Sequence, residues 1–206
     1  MSVLTKRDYL LISIIGLAIG LLLLPILANI KLSFLTLSPA ESVAIVIGLV
    51  LFSIVALWLS YLISKAIPVF LQMAKYVAIG ALNTLIDLGV LNALILLSGF
   101  ASGLWYVLFK STSFIVANIN SYFWNKYWTF DSKKSINVVE VGQFFIVSLI
   151  GFAINIGIAS LIVNFIPPIG SISPARWANV GAIMASIIAL AWNYIGYKFV
   201  VFKTKS

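Results

Sequence analysis

Ser121–Phe130 reads SYFWNKYWTF and ends a long apolar segment, and Asn193–Phe202 reads NYIGYKFVVF and ends another. Tyrosine, lysine and phenylalanine occupy matching places in the two phrases, in the pattern Tyr-x-x-x-Lys-x-x-x-Phe, with 72 positions between them. In each phrase, an aromatic and polar run passes through a lysine and closes on aromatic or β-branched residues. We interpret the two phrases as the ends of two copies of an internal repeat.

The beginnings of the two copies also match. Gln72 is followed eight residues later by Gly80, and Gln143 is followed eight residues later by Gly151. The separations from each glutamine to the last phenylalanine of its phrase are 58 and 59 residues, enough for a hairpin of two spans. Two spans return the chain to the same side of a membrane, so we expect parallel copies related by an axis along the membrane normal, with a cleft between them.

Composition places the whole chain in the membrane class. Hydrophobic residues make up 63% of the 206 positions and charged residues 9%, so a buried core and a polar surface cannot both be built. A membrane-crossing helix needs ~20 mostly apolar residues. The segments that qualify are Tyr9–Ile30, Ser42–Ser64, Tyr76–Leu97, Leu104–Asn125, Val141–Ile166 and Trp177–Tyr197. We predict an all-α membrane protein of six transmembrane helices, with a two-helix extension at residues 1–67 and a four-helix core of two parallel helical hairpins at residues 68–206.

Basic residues set the predicted orientation. Ten of the 13 lysines and arginines fall at alternate ends of the spans, and the opposite loops hold only Lys31 and Arg176. By the positive-inside rule, both termini face the cytoplasm in a multi-pass protein of the cytoplasmic membrane. The first span is interpreted as a retained helix, because no convincing cleavage site follows it. The net charge of +8 predicts that the protein binds anionic membrane lipids rather than nucleic acid.

The residue types that are missing argue against catalysis. The chain contains no cysteine and no histidine, which removes thiol nucleophiles, imidazole bases and the usual zinc or haem ligands. Its five acidic residues are scattered along the sequence, and no glycine-rich phosphate loop precedes a basic residue. We expect a protein that handles a lipid or a solute, not an enzyme, with no metal and no other cofactor.

Two motifs carry a resemblance to a known family. Gly80–Asp87 reads GALNTLID, and Ser121–Phe130 follows in the next span. With these residues the chain resembles the GtrA-like family of small membrane proteins, whose marks are Gly-x-x-Asn-Thr-x-x-Asp and Asn-aromatic-x-x-Asn-Lys/Arg-x-Trp-Thr-Phe. The resemblance covers about residues 70–203. Ser121 stands where an asparagine is common, and Tyr197 stands where the second copy would have its second asparagine.

The resemblance implies a role in glycosylating cell-surface polymers. Members are similar to translocases of polyprenyl-phosphate-linked sugars, or to partners of the glycosyltransferases that make or use those lipids. The first hypothesis is therefore translocation of a polyprenyl-phosphate-linked monosaccharide. Two alternatives stay open: an accessory subunit that anchors or regulates a polyprenyl-phosphate glycosyltransferase, and a small proton-coupled exporter with Asp87 as its coupling carboxylate. A homodimer is plausible for six short spans with a shallow cleft.

Two charges fall inside the predicted spans. Asp87 lies ~18 Å along the helix from Lys75, and Lys110 lies ~24 Å before Lys126, so both are deep in the membrane. A charge there costs ~3 kcal/mol or more and usually faces a partner or a wet cavity. The two residues could form an ion pair that fixes the hairpin. Lys110 could instead bind a lipid phosphate, with Asp87 accepting a proton or a sugar hydroxyl, or it could extend outward to the far interface.

The remaining candidates are polar groups in the spans and cations at their ends. Asn83, Thr84 and Asp87 form one polar stripe, whereas Asn92 and Asn155 are predicted to serve only as contacts between helices. Charge bias and the helix dipole explain why Lys126 and Lys198 lie at the cytoplasmic surface. As a symmetric pair, these two lysines could also hold a phosphate, and Arg176 could receive that phosphate on the outer side. The predicted substrate-binding set is Asp87, Lys110, Asn83, Thr84, Asn125, Lys126, Asn193, Lys198 and Arg176.

Overall fold

The computed structural model describes residues 3–30, 37–100, 102–170 and 174–203, without the side chains of residues 28–30, 106, 174–176 and 178–179. The chain divides into two compact units, residues 1–131 and 132–206, and each is described by itself. The predicted division into residues 1–67 and 68–206 follows the repeat rather than compactness, and it stays a prediction.

The first unit contains four helices. These are α1 (Lys6–Ile30), α2 (Pro39–Ser64), α3 (Phe70–Ser98) and α4 (Gly103–Trp124). A capping box starts α2, because the Ser38 hydroxyl accepts from the Glu41 N–H at 3.3 Å while the Glu41 carboxylate accepts from the Ser38 N–H at 2.8 Å. Gly99 ends α3 with a left-handed φ of 75°, a conformation that favours glycine.

Close approach of backbones holds α1 against α2. A Cβ atom added at Gly16 would lie 2.9 Å from the Cα atom of Val50, so only glycine fits there. The core of this unit combines residues of α1, α2 and α3 with an aromatic residue that follows α4. Its buried members are Ile12, Ile15, Leu57, Leu71, Ile79, Leu82 and Trp128.

The second unit is a hairpin of α5 (Val138–Phe165) and α6 (Pro174–Gly196). The Asn137 side chain caps the start of α5 by accepting from the Glu140 N–H at 2.9 Å. At the other end of α5, the indole N–H of Trp177 donates to the carbonyl of Ile166 at 2.9 Å, which satisfies a group that the end of a helix leaves without a partner.

The all-helical prediction is confirmed, and no strand occurs among the described residues. Within them, five helices are long and apolar enough to cross a membrane, which confirms five of the six predicted spans. The remaining helix, α4, has 22 residues and is thus ~33 Å long, but Lys110, its asparagines and its hydroxyl residues make it less apolar than the others. The sixth span, the orientation of the termini and the parallel repeat stay predictions.

Both repeated phrases contain an irregularity that the sequence did not predict. After α4 the chain continues into a π-helical turn at Asn125–Thr129, and after α6 it continues into another at Tyr197–Val201. In each turn, the N–H of a phenylalanine donates to the carbonyl five residues before it. Phe130 donates to the Asn125 carbonyl at 2.9 Å, and Phe202 donates to the Tyr197 carbonyl at 2.8 Å. Such turns are rare and are frequently found at functional sites. Their matching positions agree with a repeat.

Candidate functional site

An ion pair lies between α3 and α4. The Asp87 carboxylate pairs with the Lys110 ammonium group and also accepts a hydrogen bond of 2.5 Å from the buried hydroxyl of Ser113. The side chains of Asp87 and Lys110 remain 22% and 41% exposed. Of the arrangements considered from the sequence, the pair that fixes the hairpin is the one present. Because both partners are open on one side, a competing anion could still reach the lysine.

A second polar contact joins the same two helices. The side-chain amide of Asn120 donates to the Asn83 oxygen at 2.6 Å, and its own oxygen accepts from the Trp124 indole N–H at 3.1 Å. Asn83 lies four residues from Asp87, about 6 Å along α3 and on the same face. We call the resulting set the polar ladder; it consists of Asn83, Asp87, Lys110, Ser113, Asn120 and Trp124.

Three members of the polar ladder were not among the predicted site residues. Ser113, Asn120 and Trp124 follow Lys110 at spacings of three, ten and fourteen residues, which places them along one face of a helix. That periodicity is visible in the sequence. A search for polar residues on the face of α4 that carries Lys110 would therefore have found them.

Three predicted residues of the first unit lie outside the polar ladder, and Thr84 and Asn125 are two of them. The Thr84 hydroxyl is exposed and donates to the Gly80 carbonyl of its own helix at 3.0 Å. The Asn125 side chain is fully buried and donates to the Ser121 carbonyl at 2.9 Å, also on its own segment. Its oxygen is buried without a partner among the described residues. Neither side chain contributes to the contacts around Asp87.

The two asparagines predicted as contacts between helices behave differently. Asn155 on α5 donates to the Ser186 hydroxyl on α6 at 3.2 Å, as expected. Asn92 is exposed and donates to the Leu88 carbonyl of its own helix at 2.8 Å. The prediction for Asn92 is therefore wrong, because the side chain lies on the open face of α3 and bonds to the preceding turn.

The two lysines of the repeated phrases lie within the π-helical turns and beside aromatic rings. Lys126, which is predicted to lie at the cytoplasmic surface of the membrane, is fully buried within the protein, with its ammonium nitrogen 5.9 Å from the ring centre of Tyr122. Lys198 is half-buried and lies 5.5 Å from the ring centre of Tyr194. Each lysine thus contacts the tyrosine four residues before it, in a cation–π arrangement. Charge bias at a helix end could not predict the burial of Lys126.

In the second unit, Asn193 packs tightly against α5. Its side-chain oxygen lies 2.1 Å from the position of a Cβ atom added at Gly151, and it has no hydrogen-bond partner among the described residues. Tyr197, at the position where the repeat would have an asparagine, is buried instead; it shares a hydrogen bond of 2.7 Å with Ser148 and stacks on Phe144. The side chain of Arg176, the remaining predicted residue, lies outside the described part of the chain.

The start of α1 makes contacts that the sequence did not predict. The Asp8 carboxylate pairs with Lys75 at the beginning of α3. It also accepts from the Trp128 indole N–H at 2.9 Å. The neighbouring Arg7 donates to the carbonyl of Tyr127 at 2.7 Å. The two-helix extension is therefore fastened to the π-helical turn that follows α4.

Comparison with known proteins identifies the family of the chain. The family model described as GtrA/DPMS, transmembrane domain, matches residues 75–202. The matched region begins at Lys75 and ends at Phe202, so it includes the polar ladder and both repeated phrases and leaves α1 and α2 outside. No curated protein and no solved structure matches the chain.

Proposed function

We propose a function for this chain from its membership of the GtrA/DPMS transmembrane-domain family. The chain translocates a polyprenyl-phosphate-linked monosaccharide across the cytoplasmic membrane, for the synthesis of cell-surface polysaccharides or glycoconjugates. Membership supports a membrane function related to polyprenyl-phosphate sugars. The step from that broad role to translocation rests on the residues of α3 and α4.

The observation that carries the proposal is the partly open ion pair of Asp87 and Lys110. Charges in an apolar span are costly, and they usually line a pathway or meet a partner. Lys110 retains 41% exposure of its side chain while it is paired, so a phosphate oxygen can compete with Asp87 for the ammonium group. The Asp87 carboxylate that is released can then accept a hydroxyl of the sugar, and Asn83 and Asn120 supply further donors and acceptors.

The other predicted residues have separate roles in this proposal. Lys198, which is half-buried, is assigned to attract an anionic headgroup, and we assign to Arg176 the same role on the outer side. Lys126 and Asn125 are buried, so we assign them to the support of the π-helical turn rather than to the first contact with substrate. Asn193, which aligns with Ser121 of the first copy, is assigned to the packing of α6 against α5. This assignment uses the orientation with both termini in the cytoplasm.

The test is translocation of a labelled polyprenyl-phosphate monosaccharide in proteoliposomes. Wild type is expected to transport, and Asp87→Asn and Lys110→Ala are expected to lose transport. Asn92→Ala is the matched control, because Asn92 lies on the same helix and bonds only to its own backbone. Absence of transport by wild type under conditions where it remains folded would contradict the proposal.

An exchange of the two charges separates support of the fold from substrate binding. The double variant Asp87→Lys, Lys110→Asp keeps an ion pair, so it is expected to recover stability relative to either single variant. If Lys110 also binds phosphate, the double variant will remain inactive because a carboxylate then stands on α4. Full recovery of transport would show that the pair serves only the hairpin.

An accessory role is the second candidate, and the extension favours it. α2 is an apolar helix of 26 residues of which only Leu57 and Ser64 are buried, and its exposed residues form a long surface for another membrane protein. A glycosyltransferase that co-purifies with the chain, together with absence of transport by the chain alone, would support this role over translocation.

A further inference from the structure

α1, α2 and α3 surround an apolar cavity in the first unit. Its volume is about 530 Å³, within the range of small-molecule sites in proteins. Small residues of two facing helices leave this space open. On α2 they are Ser53, Ala56 and Ser60, and on α3 they are Ala74, Ala78 and Ala81. We call this cavity the extension groove, because two of its three helices belong to the part of the chain outside the family match.

The lining of the extension groove is suited to hydrocarbon. The hydroxyl of Ser60 donates to the Ala56 carbonyl at 2.7 Å, so it is occupied by its own helix. None of the described residues that line the groove is charged, and the three helices around it are each apolar enough to cross a membrane. A polar or charged ligand would therefore lose its hydration without compensation.

The shape of the groove favours an extended chain. Its lining runs from Leu49 to Ser60 on α2 and from Phe70 to Ala81 on α3. Each of these stretches is ~16 Å long at 1.5 Å per residue. The groove therefore follows the helices, in the direction that a lipid tail takes in a bilayer.

A cation lies at one end of the groove. Ser60 and Phe70 line that end, and the turn that joins their helices begins with the exposed Lys65. The Lys65 ammonium nitrogen lies 5.5 Å from the ring centre of Tyr61, which holds it near the end of α2. A long apolar groove with a cation at its end complements an amphiphile that has an anionic head and an extended tail.

We propose that the extension groove binds the isoprenoid tail of a polyprenyl phosphate, with Lys65 beside the phosphate. This inference rests on the proposed function, since it names where the lipid part of that substrate is held. Asn83 and Ala81 are two residues apart on α3 and therefore point to different sides of the helix. Because the Phe70 end of the groove lies ~20 Å along α3 from Asn83, a lipid bound here has its phosphate and sugar near Lys65, and this site precedes the one in which the phosphate meets Lys110 in the polar ladder.

The experiment uses the full chain in nanodiscs of phosphatidylethanolamine and phosphatidylglycerol. The probe is undecaprenyl phosphate with a photoactivatable diazirine and a radiolabel in its isoprenoid chain. Illumination is expected to label residues 49–60 and 70–81, and unlabelled undecaprenyl phosphate is expected to compete. Label confined to other helices, or equal competition by added phosphatidylglycerol, would overturn the proposal.

Filling the groove provides the matched variants. Ala56→Phe and Ala81→Phe place a ring in the groove from opposite walls, and each is expected to reduce labelling about tenfold because the tail loses its buried contacts. Ala44→Phe is the control, since Ala44 is an exposed residue of α2 outside the groove. Unchanged labelling of both filled variants would overturn the proposal.

A further pair of probes tests the phosphate. Lys65→Gln is expected to weaken labelling by undecaprenyl phosphate but not by the uncharged polyprenol with the same label. Equal effects on both probes would remove Lys65 from the site. None of these assays requires transport, so groove labelling without translocation contradicts the proposed function alone, and translocation without groove labelling contradicts this inference alone.

Discussion

The Asp8 carboxylate accepts a hydrogen bond of 2.9 Å from the indole N–H of Trp128, a residue 120 positions further along the chain. The same carboxylate is paired with Lys75, and the side chains of Asp8 and Lys75 are 8% and 14% exposed. The family-matched region begins at Lys75 and includes Trp128. The helical extension is therefore attached to that region by a buried charge that also contacts Trp128 of the π-helical turn.

Removal of one partner of the Asp8–Lys75 ion pair should strongly destabilise the protein. Asp8→Asn leaves the Lys75 charge buried without its counterion and is expected to lower the free energy of unfolding by about 3 kcal/mol or more. Asp131→Asn is the matched control, because Asp131 and Arg7 form an exposed pair, with side chains 67% and 58% exposed, and such pairs contribute ~1 kcal/mol or less. Unfolding by SDS in mixed micelles measures both variants; similar losses in the two would contradict the prediction.

The double variant Asp8→Asn, Lys75→Met checks the cause. It removes the orphaned charge, so it should be more stable than Asp8→Asn alone. If the double variant is the less stable of the two, Lys75 stabilises the protein through its other contacts, such as the Trp128 ring 5.3 Å from its ammonium nitrogen, by more than its orphaned charge costs.

The hydrogen bonds of Asn120 to Asn83 and Trp124, within the polar ladder, should also contribute to stability. Asn120→Leu leaves the Asn83 oxygen and the Trp124 N–H without their partners and is expected to cost ~1 kcal/mol, a typical value for hydrogen bonds between membrane helices. Asn118→Leu is the control, because the Asn118 amide donates only to the Phe114 carbonyl of its own helix. The midpoints of SDS unfolding compare the two, and a larger loss at position 118 would be inconsistent with this prediction.

Neighbouring residues on α3 should differ in their effect on transport. Asn83→Leu removes the side chain that accepts a hydrogen bond from Asn120 in the polar ladder. Thr84→Val removes only a hydroxyl that is exposed and bonded to its own helix. We expect Asn83→Leu to reduce translocation by about tenfold, as for loss of one good hydrogen bond to substrate, and Thr84→Val to leave it unchanged. Initial rates in proteoliposomes measure this, and a loss at Thr84 alone would show that the transport site lies on another face of α3.

Part of this arrangement could be predicted from the sequence. Asp87 and Lys110 are charges within apolar spans, at depths that differ by about one helical turn, and the cost of leaving them unpaired makes an ion pair one of the arrangements that the sequence predicts. The face of α4 that carries Lys110 is also encoded, by the helical spacing of Ser113 and Asn120.

Other contacts have no local signal. The pairing of Asp8 with Lys75 depends on which hairpin packs beside α3, and apolar periodicity does not specify a neighbour. Lys126 is fully buried within a π-helical turn, and no helical spacing in the sequence indicates either its burial or a change from α-helix to π-helix. The positive-inside rule assigns the side of the membrane but not the exposure of a particular lysine.

Packing of Gly151 against Asn193 provides the last prediction. A Cβ atom at position 151 would lie 2.1 Å from the Asn193 side-chain oxygen, so Gly151→Ala forces the asparagine or the helix to move. We expect a loss of about 1–3 kcal/mol in the free energy of unfolding, as for overpacked cores. Gly157→Ala on the same helix has open space at its Cβ position and should be neutral or stabilising, because alanine favours helix.

A second substitution separates this contact from a general effect on α5. Asn193→Ala removes the side chain that collides with the new Cβ atom, so the double variant Gly151→Ala, Asn193→Ala should recover most of the stability lost by Gly151→Ala. A double-mutant cycle measured by SDS unfolding gives the coupling between the two positions. Additive losses would mean that the two residues do not contact each other in the membrane, and the packing of α6 on α5 would then differ at this point.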